Sequence, residues 1–135
     1  RSELFGETNQ PPRAADSPIF EYIQQISLDM RRRGAAEKRL IIISDFGQYT
    51  PGRFNICDPP PSFSAFSKGH YYREVRPDLD GVVITAHYLQ RRGGVRMDCN
   101  AKVQADEAAH KAFWRAFFEA SGAAASEPLF FTLLQ

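Results

Sequence analysis

Cysteine is scarce in this sequence. Cys57 and Cys99 are the only two, too few and too far apart for a zinc site of the usual spacing. They are read as two thiols or as one disulfide in an oxidising compartment, and spacing alone leaves both open. Long apolar runs are missing too. None approaches the ~20 residues that cross a bilayer, which excludes a helical membrane span. Charge of one sign is also lacking: 17 basic against 16 acidic residues leave a formal net charge of +1. Basic residues do not alternate with aromatics along a stripe, so nothing marks a nucleic-acid surface. The chain starts at Arg1-Ser2-Glu3 with neither an initiator Met nor a signal peptide. It is therefore expected to be a trimmed or processed form, or a fragment.

What is present is ordinary for one soluble globular domain of 135 residues, 43% hydrophobic and 24% charged. The organising stretch is Lys38-Arg-Leu-Ile-Ile-Ile-Ser-Asp-Phe-Gly47. An unbroken β-branched run stopped by a polar-Gly turn predicts a strand buried on both faces. Ligands of open α/β sheets gather at the carboxyl ends of such strands, which makes Asp45 the first candidate functional residue.

Residues 1 to 15 are polar, carry Pro11-Pro12, and read as an irregular lead-in. Asp16-Ser17-Pro18 then opens a helix, with Ser17 as N-cap and Pro18 at the first helical position. Ile19, Tyr22, Ile23, Ile26 and Met30 form its apolar stripe. Arg31 to Arg33 match the helix dipole at its end and Gly34 caps it.

Residues 47–80 form a long aromatic and Pro-rich insertion, with Tyr49, Phe54, Phe63, Phe66, Tyr71 and Tyr72 expected to make a private mini-core. Within it, 62–68 suits a helical turn and His70 to Val75 a short edge strand. A second buried strand is expected over Val82–Leu89 and a polar loop over Gln90–Asn100. A helix over about 105–120 should follow, with Ala109, Ala112, Phe113, Ala116, Phe117 and Ala120 as its core face, widened by Trp114 and Phe118. A last strand covers Pro128–Leu134. This alternation predicts an α/β fold with a Rossmann-like, doubly wound, mainly parallel sheet flanked by helices. Three strands make a thin sheet with sticky edges. More strands from the insertion, an N-terminal half, or a partner subunit is therefore expected to complete it.

Several catalytic patterns fail on inspection. Asp45-Phe46-Gly47 matches the kinase metal-binding tripeptide, but no catalytic loop or glycine-rich loop accompanies it. Position 47 is Gly, so the second carboxylate of an aspartyl-phosphate hydrolase is missing. Gly93-Gly94 is not a phosphate loop, and Ile43-Ser44-Asp45-Phe46-Gly47 is not a Gly-x-Ser-x-Gly elbow. His70, His87 and His110 show no ligand spacing; His110 is expected on a helix surface and His87 as a structural histidine.

One constellation does resemble a known family. A helix opened by Ser-Pro, then a buried strand ending in Ser-Asp-Phe-Gly, then another apolar strand, is similar to the second half of a von Willebrand factor A domain. The resemblance covers residues 14–50 by motif and 80–134 by pattern. It implies a Rossmann-like fold and a divalent cation, Mg²⁺ or Mn²⁺, at the carboxyl edge of the sheet. Ser17 and Asp45 match two of the family's three ligand segments; the Asp-x-Ser-x-Ser segment is not in this sequence. Two oxygen ligands do not complete an octahedral site. The function implied is a non-catalytic protein-interaction module, its partner offering an acidic side chain to the metal or completing the sheet. The rival expectation is a small α/β hydrolase or nucleotide-handling enzyme using Asp45 with His87 or Asp80.

Overall fold

The computed structural model describes residues 18–34, 37–50, 52–56, 62–90 and 106–134. Ser17, Cys57, Cys99, the lead-in and the Gln90–Asn100 loop beyond Gln90 lie outside the described residues.

The first helix, α1 (Ile19–Arg33), ends as its sequence dictates: Arg31 to Arg33 occupy the last turn and Gly34 takes a left-handed φ of 63°. It leads into β1 (Lys38–Ser44). A short antiparallel pair, β2 (Tyr49–Thr50) and β3 (Phe54–Asn55), turns through Gly52. Two small helices follow, α2 (Phe63–Phe66) and α3 (His70–Val75). Then come β4 (Val82–Gln90), α4 (Glu107–Ala120) and β5 (Ala124–Leu134).

Strands β1, β4 and β5 form one parallel sheet in that order. This is an α/β architecture with a three-stranded parallel sheet flanked by helices. Leu40 and Ile42 of β1 and Val82, Ile84, Ala86 and Tyr88 of β4 point to one side, into the core. Against them lie Phe20 and Ile23 of α1, Phe66 of α2, Tyr72 of α3, and Phe113, Trp114, Phe117 and Phe118 of α4. Phe20 joins these helices, its ring 4.9 Å from Trp114, 4.7 Å from Phe117 and 5.2 Å from Phe66. The described helices thus share one face of the sheet.

Several expectations need correction. First, β1 is not buried on both faces: Ile41 is 56% and Ile43 53% exposed. An unbroken apolar run says nothing about whether both faces are covered; connections stacked on one side leave the other open. Second, residues 70–75 are helical. Tyr72 and Val75 are buried three positions apart, the helical spacing, and β-prone Tyr and Val yield to that packing. Third, the insertion's aromatics are not a private mini-core. Phe54, Phe66 and Phe63 pack on Phe20 and Phe113 of the main core. Fourth, α4 is rotated from its expected face. Ala109, Ala112 and Ala120 are exposed, while His110, Phe113, Trp114, Phe117 and Phe118 are buried. The bulky aromatics remove far more area from water than alanines can, and they set the face. The last strand also starts earlier than Pro128, at Ala124.

Candidate functional site

The carboxyl ends of the three parallel strands, where the loop after β1 meets the N-terminal turns of α1 and α4, hold the polar groups that the topology gathers. Ser44 Oγ accepts the N–H of Phe46 at 2.9 Å, and Asp45 Oδ1 accepts the N–H of Gly47 at 3.0 Å. These local side-chain bonds turn the chain sharply out of the strand. Phe46 sits at φ 60°, a conformation that costs a non-Gly residue ~1 kcal/mol or more.

The strained residue is held by β4 and α4, far along the chain but packed directly against it. Its ring is wholly buried, 6.1 Å from Tyr88 and 5.1 Å from Trp114. Its carbonyl oxygen accepts two hydrogen bonds from α4: one from His110 Nε2 at 2.9 Å and one from Trp114 Nε1 at 3.1 Å. A carbonyl can only accept, so His110 carries its proton on Nε2 and its Nδ1 accepts the Tyr88 hydroxyl at 2.6 Å. Burial holds the His110 pKa below its ordinary value, outweighing the Phe46 carbonyl and the nearby Asp45 carboxylate, which push it up. His110 is therefore a neutral, buried, doubly bonded histidine, not the exposed one expected.

A second cluster closes the same edge. Lys111 Nζ lies 2.6 Å from Glu107 Oε2 and donates to Thr132 Oγ1 at 2.7 Å, above the ring of Tyr88. Gln90 Nε2 donates to Glu107 Oε1 at 2.6 Å. On the other flank Gln48, wholly buried, replaces a conventional cap. Its Oε1 accepts the Phe20 N–H at 2.8 Å, while its Nε2 donates to Thr50 Oγ1 and Tyr71 Oη. Tyr71 in turn donates to Glu21 Oε2 at 2.5 Å. Burial, and then the bond to Glu21, raise the Tyr71 pKa far above its ordinary value.

Of the predicted site residues, Asp45 stands at this edge and Ser17 lies outside the described residues. Asp45 does not meet the partners of the rival enzyme. Asp80 precedes the first residue of β4, at the amino end of the sheet, and His87 points out of the opposite face, stacked on Phe131 at 5.4 Å. Ser44 Oγ and Asp45 Oδ1 both accept loop N–H groups, and no group of three or more His, Cys, Asp or Glu among the described residues could hold a metal ion. His110 and Gln48 were missed in the sequence. His110 had a signal: with Phe113, Trp114, Phe117 and Phe118 it follows the i, i+3, i+4, i+7, i+8 spacing of one buried stripe. Gln48 had none.

The outer face of the sheet is the other candidate. The paired register sets Arg39 beside Val83, Ile41 beside Thr85, Ile43 beside His87 and Phe131, and Leu89 beside Leu133. Phe131 is 42% and Leu133 41% exposed, so with Ile41 and Ile43 this face holds four of the five exposed large apolar side chains among the described residues; Leu28 is the fifth. No helix among the described residues is long and apolar enough to cross a membrane. No protein-family model, no curated protein and no solved structure matches the chain.

Proposed function

We propose that this chain is a non-catalytic protein-interaction module of the Rossmann-like, A-domain type, and that a partner docks on the open face of its parallel sheet. One observation carries this: four large apolar side chains, each more than two-fifths exposed, share one face of an all-parallel sheet. Parallel sheets are stable with both faces covered, and contiguous exposed apolar patches mark interaction sites. A second helical layer there would make the sheet doubly wound. The polar groups of the carboxyl edge support the same reading, since they bond one another and fix the loop after β1.

Charge placed on the face tests it. Ile43→Asp and Phe131→Asp are expected to leave the chain folded, at a cost of ~1–3 kcal/mol in urea unfolding because each side chain is still about half buried, and to reduce binding of an apolar dye. Ile42→Asp, one position away and wholly buried, is expected to unfold the chain. If Ile43→Asp unfolds it as well, the face is filled in the native chain and the module is not what we describe. Calorimetric titration with Mg²⁺ and with Mn²⁺ tests the implied cation separately; a heat that Asp45→Ala removes would add it.

A further inference from the structure

Phe46 and Gln48 stand two residues apart in the loop after β1, and each is fastened to a different helix. The Phe46 carbonyl accepts from His110 and Trp114 of α4 at 2.9 and 3.1 Å. The wholly buried Gln48 side chain accepts the Phe20 N–H, in the first turn of α1, at 2.8 Å. Little slack lies between the two. Ser44 Oγ takes the N–H of Phe46 and Asp45 Oδ1 that of Gly47, while the Gln48 carbonyl accepts the Ile56 N–H at 3.2 Å.

Phe46 also sits in one of two discrete backbone states. Its φ of 60° is left-handed, and steric overlap closes the region between that basin and the negative-φ basins preferred by an L residue. The less favoured basin is kept because the ring is wholly buried and the carbonyl doubly bonded there. Once the carbonyl is released, the backbone gains by crossing to negative φ. That crossing redirects the chain at Gly47 and draws the Gln48 amide away from Phe20. Packed cores and bonded networks switch between such arrangements instead of deforming by degrees. We infer that the loop after β1 is a conformational link: release of the Phe46 carbonyl at α4 uncaps the first turn of α1, and loss of that cap loosens the bonds at α4. The link goes beyond docking on the open face and does not depend on it.

Hydrogen exchange followed by NMR on the full chain tests it. The Trp114 ring packs on Phe20 itself at 4.9 Å, so the change is made at His110, whose ring bonds run to Phe46 and Tyr88. His110→Phe is expected to lower protection of the Phe20 N–H about tenfold further than that of Val83 and Ile84. Those amides lie in the central strand and report opening of the whole chain; a tenfold step is about what one hydrogen bond contributes. His110→Gln keeps an N–H for the carbonyl and should restore protection at Phe20. Read from the other end, Gln48→Leu should quicken exchange of the His110 Nε2–H, because coupling between two sites is reciprocal. A fall at Phe20 no larger than at Val83 and Ile84, or one that His110→Gln shares in full, overturns the link. So does a His110 ring N–H that Gln48→Leu leaves unmoved. Should either His110→Phe or Gln48→Leu fail to fold, the other decides alone.

Discussion

His110 donates from Nε2 to the carbonyl oxygen of Phe46 at 2.9 Å, across 64 positions of sequence. The bond joins the buried face of α4 to the turn that leaves β1, so the loop bearing Asp45 is shaped by a helix far along the chain. His110→Phe keeps the volume and removes both ring hydrogen bonds. It is expected to cost about 1–3 kcal/mol in urea unfolding, because polar groups at a buried site lose their partner. A loss below the error of the measurement would show that Trp114 alone holds the Phe46 carbonyl.

The same residue sets an acid limit. Burial lowers the His110 pKa in the folded chain, so the unfolded chain takes up the proton first. Its contribution to stability is full above the unfolded value of about 6.5 and is lost as pH falls from there through the lowered folded value. Urea midpoints measured from pH 8 to pH 5 should fall, and His110→Gln should flatten that slope. An equal slope in the variant would place the acid sensitivity elsewhere.

Asp45 is expected to show its local role. Asp45→Asn keeps an oxygen for the Gly47 N–H and should be nearly neutral. Asp45→Ala frees that N–H and should cost ~1 kcal/mol, the worth of a capping bond. Equal effects of the two on the thermal midpoint would show that the charge of Asp45 matters more than its turn.

The elements were legible where one physical signal dominated. Leu40 to Ile43 could hardly be other than a strand, and Gly34 ended α1 because its left-handed φ is open to glycine. The signal failed where packing decided. Tyr71, Tyr72 and Val75 favour strands by type, yet burial of Tyr72 and Val75 on one side makes that segment helical. Ile41 and Ile43 are as apolar as Ile42, and no local pattern says that crossovers will stack on one side. Gln48 caps α1 from 28 positions away, a relation that exists only after folding.

Gln48→Leu should leave the Phe20 N–H without its acceptor at a wholly buried position. The expected cost is about 1–3 kcal/mol, with amide exchange at Phe20 and Glu21 quickened ahead of the rest of α1. Gln48→Glu keeps the acceptor but sets a second carboxylate near Glu21, and should be at least as damaging. Unchanged exchange at Phe20 in Gln48→Leu would mean that another group caps the helix.

Tyr71 ties the insertion to α1 through Glu21 Oε2 and accepts from Gln48. Burial, followed by the bond to Glu21, raises its pKa, so the folded chain holds the phenol proton after the unfolded chain has released it. The sign is opposite to that of His110. The contribution is complete below about pH 10 and is lost as pH rises from there towards the raised folded value. Tyr71→Phe should cost ~1 kcal/mol at neutral pH and make the urea midpoint fall less between pH 9 and pH 11 than in the parent chain. If the two fall in parallel, the phenol ionises as freely as in the unfolded chain, and the tie between the insertion and α1 rests on its other bonds, from the Phe20 N–H to Gln48 Oε1 and from the Gln24 amide to the Glu74 carbonyl, each at 2.8 Å.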